Sequence, residues 1–146
     1  MLDKTFEHTV RFYPVQTNTR VTVWLPLVTI SLIQPDGNRV SLPLLFDTGA
    51  SFTTLRHDLY PLLGVPSWDV GEPQQILTAG GVNPVQAYRF QVTLEFFGKI
   101  VQCPLQLQIL PQNPLYVGLF GREQMFQEFG FGFWEKTHDL YVTLNP

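Results

Sequence analysis

Strict alternation of apolar and polar residues over two neighbouring segments is the feature that most constrains the fold. In 88–96 the even positions are apolar or aromatic, and in 101–109 the odd positions are apolar. The polar positions of the second segment are mainly glutamines: Gln102, Gln106 and Gln108. Because successive side chains of a strand point to opposite faces, each segment is predicted to be a strand with one buried and one wet face. Phe97, Gly98 and Lys99 form the predicted turn between them, so the two strands make a hairpin.

The remaining pattern extends this prediction to the whole chain. Val21–Phe46 alternates with a phase slip near Pro26 and a turn at 35–38, which predicts one long hairpin with a bulge or bend. Two short helices are predicted, at Asp58–Leu63 and from Arg122 to Phe129, and two closing strands follow. The predicted fold class is all-β, a small closed barrel with one short late helix.

Composition limits the possible partners. The 146 residues fit one domain, 1–146, in which 1–20 is either an N-terminal arm or an edge strand. Charged residues make up 14% against a usual share of roughly 25%, so part of the apolar surface is expected to face a partner. The net charge of −3, without a basic cluster, argues against a nucleic-acid partner.

Cysteine content and hydropathy bear on the compartment. Cys103 is alone, which excludes an internal disulfide, and its place on an apolar strand face predicts a buried thiol. The longest apolar run, Val21–Ile33, is interrupted by Pro26 and is shorter than the approximately 20 residues of a membrane helix. With no signal-peptide pattern at the start, a cytoplasmic location is favoured.

Asp47-Thr48-Gly49-Ala50-Ser51 is the segment that carries chemistry. It follows three large apolar residues at the end of a predicted strand. A carboxylate at a strand end is ordinary by itself, and an Asx-turn bonding its own backbone would explain it. An aspartate followed directly by Thr-Gly-Ala-Ser is a much more specific pattern. The glycine allows other backbone to approach closely, and the threonine adds a hydroxyl beside the carboxylate.

This stretch resembles the active-site loop of the retropepsin-like aspartic peptidases. The resemblance implies that Asp47 is the catalytic carboxylate on a loop formed by Thr48, Gly49, Ala50 and Ser51. It also implies a flap hairpin, with Thr78, Ala79, Gly80 and Gly81 at its tip, that closes over peptide. Gly121-Arg122, after an apolar run, resembles the segment that packs beneath the active-site loop. Together these features cover about 21–144, nearly the whole chain.

The sequence contains a single Asp-Thr-Gly, and the chemistry of this family needs two carboxylates that share a proton. The resemblance therefore implies a homodimer in which two copies of Asp47 activate a water to hydrolyse a peptide or protein substrate. No metal and no cofactor are expected, since His8, His57 and His138 are far apart and form no metal spacing. The cleft is expected to be apolar, with a preference for extended hydrophobic peptides.

Two positions depart from the family pattern. Position 123 is Glu where the family usually carries Asp or Asn, and Ser51 stands where viral members often carry Asp. Arg122 therefore has no aspartate at position 51 to pair with. Three alternatives stay open: it pairs with Asp58, it pairs with a partner residue, or it remains solvated.

Several other readings of the sequence stay open. Gly80-Gly81 could form a plain hairpin turn, and Gly121-Arg122 an ordinary helix start. The same fold could also be a catalytically silent module that binds a peptide or protein. A β-barrel carrier of small apolar ligands would be monomeric and indifferent to Asp47→Asn.

Overall fold

The computed structural model describes residues 6–77 and 80–145. These residues form a mainly β fold with two 3₁₀ helices, His57–Leu63 and Trp68–Val70, and one α-helix, α1 (Met125–Glu128). The strands are β1 (His8–Arg11), β2 (Tyr13–Gln16), β3 (Thr22–Leu25), β4 (Leu27–Ile33), β5 (Arg39–Phe46), β6 (Thr53–Arg56), β7 (Glu72–Ile76), β8 (Val85–Phe96), β9 (Lys99–Gln108), β10 (Gly118–Phe120), β11 (Phe129–Trp134) and β12 (Asp139–Leu144). Among the described residues, no helix has the length and apolarity needed to cross a membrane.

Seven strands form one sheet, and six of them curl into a closed ring from which β7 extends. Their order is β4-β5-β10-β6-β9-β8-β7, and β4 also pairs with β8, which closes the ring. The alternate positions that face inward form the core, in which Leu44, Leu105 and Phe120 are fully buried. The predicted all-β class is therefore confirmed, and the strands enclose a single apolar core.

The predicted hairpin over Val21–Phe46 is wrong in extent. Only β4 and β5 pair with each other, whereas β3 pairs with β2 near the N-terminus. The break falls at Pro26, which has no N–H to donate to a ladder. Its carbonyl instead accepts a 2.8 Å hydrogen bond from the Phe46 N–H, so the proline fixes the end of β5.

The predicted hairpin of the two alternating segments is confirmed as β8 and β9. Its two-residue turn, Phe97-Gly98, has positive φ at both positions, as the type I′ turn requires. Phe97 is held in this unusual conformation by stacking on His8 and by edge contact with Phe96. One position expected to face solvent is wrong: Gln106 is buried, flanked on its face of the sheet by its register neighbours Thr54 on β6 and Arg89 on β8.

β10 lies between the strand that enters the candidate loop and the strand that leaves it. It pairs in parallel with β5 and antiparallel with β6. A second, three-stranded sheet has the order β1-β12-β11, so the N-terminal strand β1 and the strand β11 are its two edges.

The short helix predicted at Asp58–Leu63 is present as the 3₁₀ helix His57–Leu63, and Gly64 ends it in the left-handed conformation. The predicted helix from Arg122 to Phe129 is reduced to α1, a single turn. Arg122 and Glu123 donate their backbone N–H groups to Ala50 and Ser51 and so support the loop. The helix begins only after Gln124, whose φ of +65° lies outside the helical range. The predicted burial of Cys103 is confirmed, and burial raises the pKa of its thiol to about 12.

We expect Gly118→Ala to destabilise the protein by about 3 kcal/mol. A Cβ at this position would overlap the carbonyl oxygen of Thr54, and backbone in a central ladder moves at high cost. Urea unfolding followed by circular dichroism measures the change. Gly132→Ala is the control, because its Cβ would meet only the ring edge of Phe6 at 3.0 Å. Equal losses in the two variants would contradict a tight β10 packing site.

Candidate active site

The strand β5 carries Asp47 immediately after its last residue, at a point fixed by hydrogen bonds on both sides. The Phe46 N–H donates to the carbonyl of Pro26, and the Asp47 N–H donates to the carbonyl of Phe120 on β10 at 3.1 Å. The Ala50 N–H then donates back to the Asp47 carbonyl at 3.2 Å, which closes a tight turn. The backbone around Asp47 is therefore positioned by three separate parts of the chain.

The side chain of Phe46 holds the turn from below. It is 5% exposed and contacts four aromatic rings with centroid distances of 4.8–5.5 Å: Phe120, Phe126, Phe131 and Phe133. Aromatic rings at these separations contribute stacked and edge-to-face attraction in addition to buried area. Because successive residues of β5 point to opposite faces, Phe46 points into the core and Asp47 lies outside it, at the surface of the closed sheet.

The Asp47 carboxylate has one occupied and one open oxygen. Its Oδ1 accepts a 2.9 Å hydrogen bond from the Gly49 N–H, the bond of an ordinary Asx-turn. Its Oδ2 accepts no hydrogen bond from the described residues and the carboxylate lines a cleft. A Cβ on Gly49 would lie 3.2 Å from Oδ1, so glycine keeps the space beside the carboxylate free. Thr48 and Gly49 are both exposed.

Gly121-Arg122 lies against the exit of the loop. The Arg122 N–H donates to the Ala50 carbonyl at 3.0 Å, and the Gly121 N–H donates to the Thr53 hydroxyl at 3.1 Å. A Cβ on Gly121 would overlap the backbone of Phe52, so only glycine allows this approach. These contacts give Gly121-Arg122 a place directly beside the loop.

The side chain of Arg122 takes a different partner from the one first considered. Its Nη2 lies 3.4 Å from the Ser51 hydroxyl, and the guanidinium is exposed. Asp58 is instead paired with Arg56, with 2.6 Å between Nε and Oδ1. The considered pairing of Arg122 with Asp58 is therefore wrong, because a nearer arginine holds that carboxylate.

A cleft of about 390 Å³ runs from the loop to the hairpin of β7 and β8. Its apolar walls are Ala50, Phe52, Ile76, Leu77 and Leu119. Its polar walls, besides Asp47, Gly49 and Ser51, are Thr54, Gln106 and Gln108. The expected apolar character is thus only partly met, since two glutamines of β9 face into the cleft.

The hairpin of β7 and β8 stands where the sequence predicted a flap. Leu77, just beyond β7, lines the cleft and is 78% exposed. Gly80 has φ of +76° with open space around it, and Gly81 is exposed. The predicted tip residues Thr78 and Ala79 lie outside the described residues.

Sequence reasoning missed one contact at the base of this hairpin. The Arg89 guanidinium on β8 lies 4.0 Å from the ring centroid of Phe52 and donates from Nη2 to Gln74 Oε1 at 3.1 Å. The alternation of β8 identified Arg89 only as a wet-face residue. Its approach to the loop depends on the register of β8, β9 and β6, and β6 is distant from β8 in sequence, so no local pattern reveals it.

No group of three His, Cys, Asp or Glu side chains able to hold a metal ion occurs in the part of the chain that the structure describes. The three histidines are separate, and each packs on a different aromatic ring: His8 on Phe97, His57 on Trp68 and His138 on Trp24.

Comparison with known proteins assigns the chain to a family. The family model described as "Aspartyl protease" matches residues 30–123, which is more than half of the chain and includes the loop, the hairpin and Gly121-Arg122. The chain therefore belongs to the aspartyl protease family. No match was found among curated proteins.

Solved structures support the fold. A retropepsin-like aspartic protease from Rickettsia conorii is similar with a TM-score of 0.58 and 18% identity, over 98% of this chain and 97% of that chain. A protease of EIAV, solved with the inhibitor HBY-793, has a TM-score of 0.46 and 23% identity, over 74% of this chain and 88% of that chain. The first of these establishes that the present chain has the retropepsin-like fold.

We expect Thr53→Val to destabilise the protein by about 2 kcal/mol. The substitution keeps the shape of the side chain but leaves the buried Gly121 N–H without an acceptor. Thr53→Ser, which keeps the hydroxyl, should lose clearly less. Urea unfolding of the three proteins tests this, and equal losses for Val and Ser would show that the hydroxyl does not matter.

Proposed function

We propose that the protein is a homodimeric aspartic endopeptidase in which two copies of Asp47 hydrolyse a peptide bond. The observation that supports this most strongly is the position of the Asp47 carboxylate. It sits on a tightly fixed turn, has one oxygen free of bonds to the described residues, and lines a cleft bounded by a hairpin. The family membership agrees with this chemistry.

The second carboxylate of the reaction comes from a second chain in this proposal, because the sequence has one Asp-Thr-Gly. A two-fold axis brings identical loops face to face. Two adjacent carboxylates cannot both ionise, so the pair holds one proton. The ionised carboxylate takes a proton from water as the oxygen attacks the carbonyl carbon, and the protonated one hydrogen-bonds to the carbonyl oxygen. The proton is then delivered to the leaving nitrogen.

The loop contains a group that could contact the same loop of a second chain. Thr48 is exposed, and its hydroxyl has no hydrogen-bond partner among the described residues. In the proposed dimer, it bonds across to the partner loop. Substrate backbone adds as an extended strand beneath the hairpin of β7 and β8, and side chains enter the walls of the cleft. Gly80 and Gly81 give that hairpin the backbone freedom to close over the peptide.

One observation favours a second candidate, a silent peptide-binding module. The Asp47 side chain already stabilises its own turn through the bond to the Gly49 N–H. That structural role would be enough to retain an aspartate without catalysis. Both candidates use the same cleft, and they differ in whether replacing Asp47 changes turnover.

Asp47→Asn should reduce peptide hydrolysis at least about 100-fold, because an amide cannot act as general base. Asparagine keeps an oxygen for the Gly49 N–H, so the fold should be preserved. Digestion of an unfolded peptide library from about pH 3 to 7, analysed by mass spectrometry, provides the measurement.

The control for this experiment is Asp36→Asn, which removes the carboxylate of an exposed turn far from the cleft. It should retain full activity. Equal cleavage by the parent and by Asp47→Asn would refute the proposed mechanism. If neither protein cleaves, while the parent binds peptide, the silent module is the better description.

In this proposal the second copy packs on an apolar surface near the loop. Phe133 on β11 contacts Phe46, is 41% exposed, and is followed by Trp134 at 59% exposure. β11 is a sheet edge without a charged side chain, a type of edge that readily pairs with another chain. In the proposed dimer, β11 lies at the two-fold interface.

Phe133→Arg should therefore weaken the dimer about 100-fold or more, since it places a charge where two copies of one apolar patch meet. Sedimentation velocity over a range of concentrations detects the shift to monomer. Val70→Arg, at a side chain that is 54% exposed on a 3₁₀ helix, is the matched control and should remain dimeric. Equal dimerisation of both variants would exclude Phe133 from the interface.

A further inference from the structure

Arg89 is a cation without a counter-charge in the part of the chain that the structure describes. The ion pairs found there use other arginines, Arg11, Arg39 and Arg56, or Lys99. The Nε of Arg89 is buried and has no hydrogen-bond partner. Its guanidinium is held only by the neutral amide oxygen of Gln74 and by the face of the Phe52 ring.

Strand register places this cation on the sheet face that carries the cleft, one position beyond the lining residues. Arg89 lies opposite Gln106 of β9, and Gln106 lies opposite Thr54 of β6. Residues directly opposite in neighbouring strands point to the same face of a sheet. Gln106, Thr54 and Phe52 all line the cleft, so Arg89 lies on the same face of the sheet, next to this lining and in contact with Phe52.

The surroundings of Arg89 are unfavourable to it as they stand. A guanidinium is always charged, and partial burial removes water without returning an anion. One cation–π contact and one neutral hydrogen bond offset only part of that cost. Glu72, its register neighbour on β7, is exposed and forms no ion pair with it among the described residues. An anion that approaches from the cleft would supply the missing counter-charge.

We propose that Arg89 forms a subsite for an acidic side chain, Asp or Glu, of a bound peptide. A carboxylate displaces the Gln74 amide oxygen and accepts hydrogen bonds from Nε and Nη2 together, the fork geometry in which guanidinium and carboxylate pair best. Phe52 holds the guanidinium plane during this exchange. This inference rests on the proposed function, since it assigns a sequence preference to the same cleft.

Peptides of ten residues with a central Leu-Phe pair test the proposal. Each flanking position carries Glu, Gln or Lys in turn, and kcat/KM is measured for each peptide. At one flanking position the parent should cleave the Glu peptide about tenfold faster than the Gln peptide, the lower range for a charge-assisted hydrogen bond. Arg89→Gln should abolish this ratio, and Arg89→Glu should favour Lys at that position.

Arg39→Gln provides the matched control, because it removes the same charge from an arginine paired with Glu95 on β8. It should leave the Glu/Gln ratio unchanged. If Arg89→Gln fails to fold, Arg89→Lys keeps the charge without the fork and should lower the ratio. A parent with no Glu preference at any position overturns the inference and leaves the peptidase intact.

A parent that cleaves nothing overturns the proposed function instead. The inference is then decided by fluorescence anisotropy with the same labelled peptides. Tenfold tighter binding of a Glu peptide by the parent, lost in Arg89→Gln, supports the subsite. Equal binding of Glu and Gln peptides refutes it.

Discussion

The hydrogen bonds that hold β10 between β5 and β6 are the interactions on which the rest of the site depends. The Phe120 carbonyl fixes the Asp47 N–H, and the Thr53 hydroxyl fixes the Gly121 N–H. Because β10 is short and is flanked by glycines that pack against backbone, its position allows little variation. The carboxylate is consequently held by the sheet and not by its own loop alone, which is the rigidity that a catalytic group requires.

The aromatic cluster around Phe46 connects that rigid turn to a surface. Phe46 packs on Phe120 in the core and on Phe133 at the exposed edge of β11. The same residue therefore lies between the backbone that positions Asp47 and the patch proposed to meet a second copy. In this proposal, a change in packing at the dimer interface reaches the loop through the Phe46 side chain. Dimer formation and the position of Asp47 are therefore physically coupled.

The alternation of apolar and polar residues predicted most strands, because it shows which face of each strand is buried. It predicted the β8–β9 hairpin and the strand that ends at Asp47 for this reason. It was wrong where distant chain segments decide the outcome. Pro26 ends a hairpin by bonding Phe46, and Arg122 supports the loop where a helix was expected. Gln106 followed the alternation of polar positions but is buried between its register neighbours on β6 and β8.

The charge distribution of the cleft is likewise decided by contacts between distant segments, which local sequence pattern does not predict. A sequence shows that Arg89 and Phe52 exist, but only the ring of strands places one on the other and, among the described residues, leaves the guanidinium without a carboxylate. In the proposed dimer the two-fold axis duplicates Arg89 along with Asp47, so an extended peptide passes one cation on each side of the bond to be cut. The chain has few charged residues, and a cation at this position therefore carries more weight in selecting a peptide than it would on a highly charged surface.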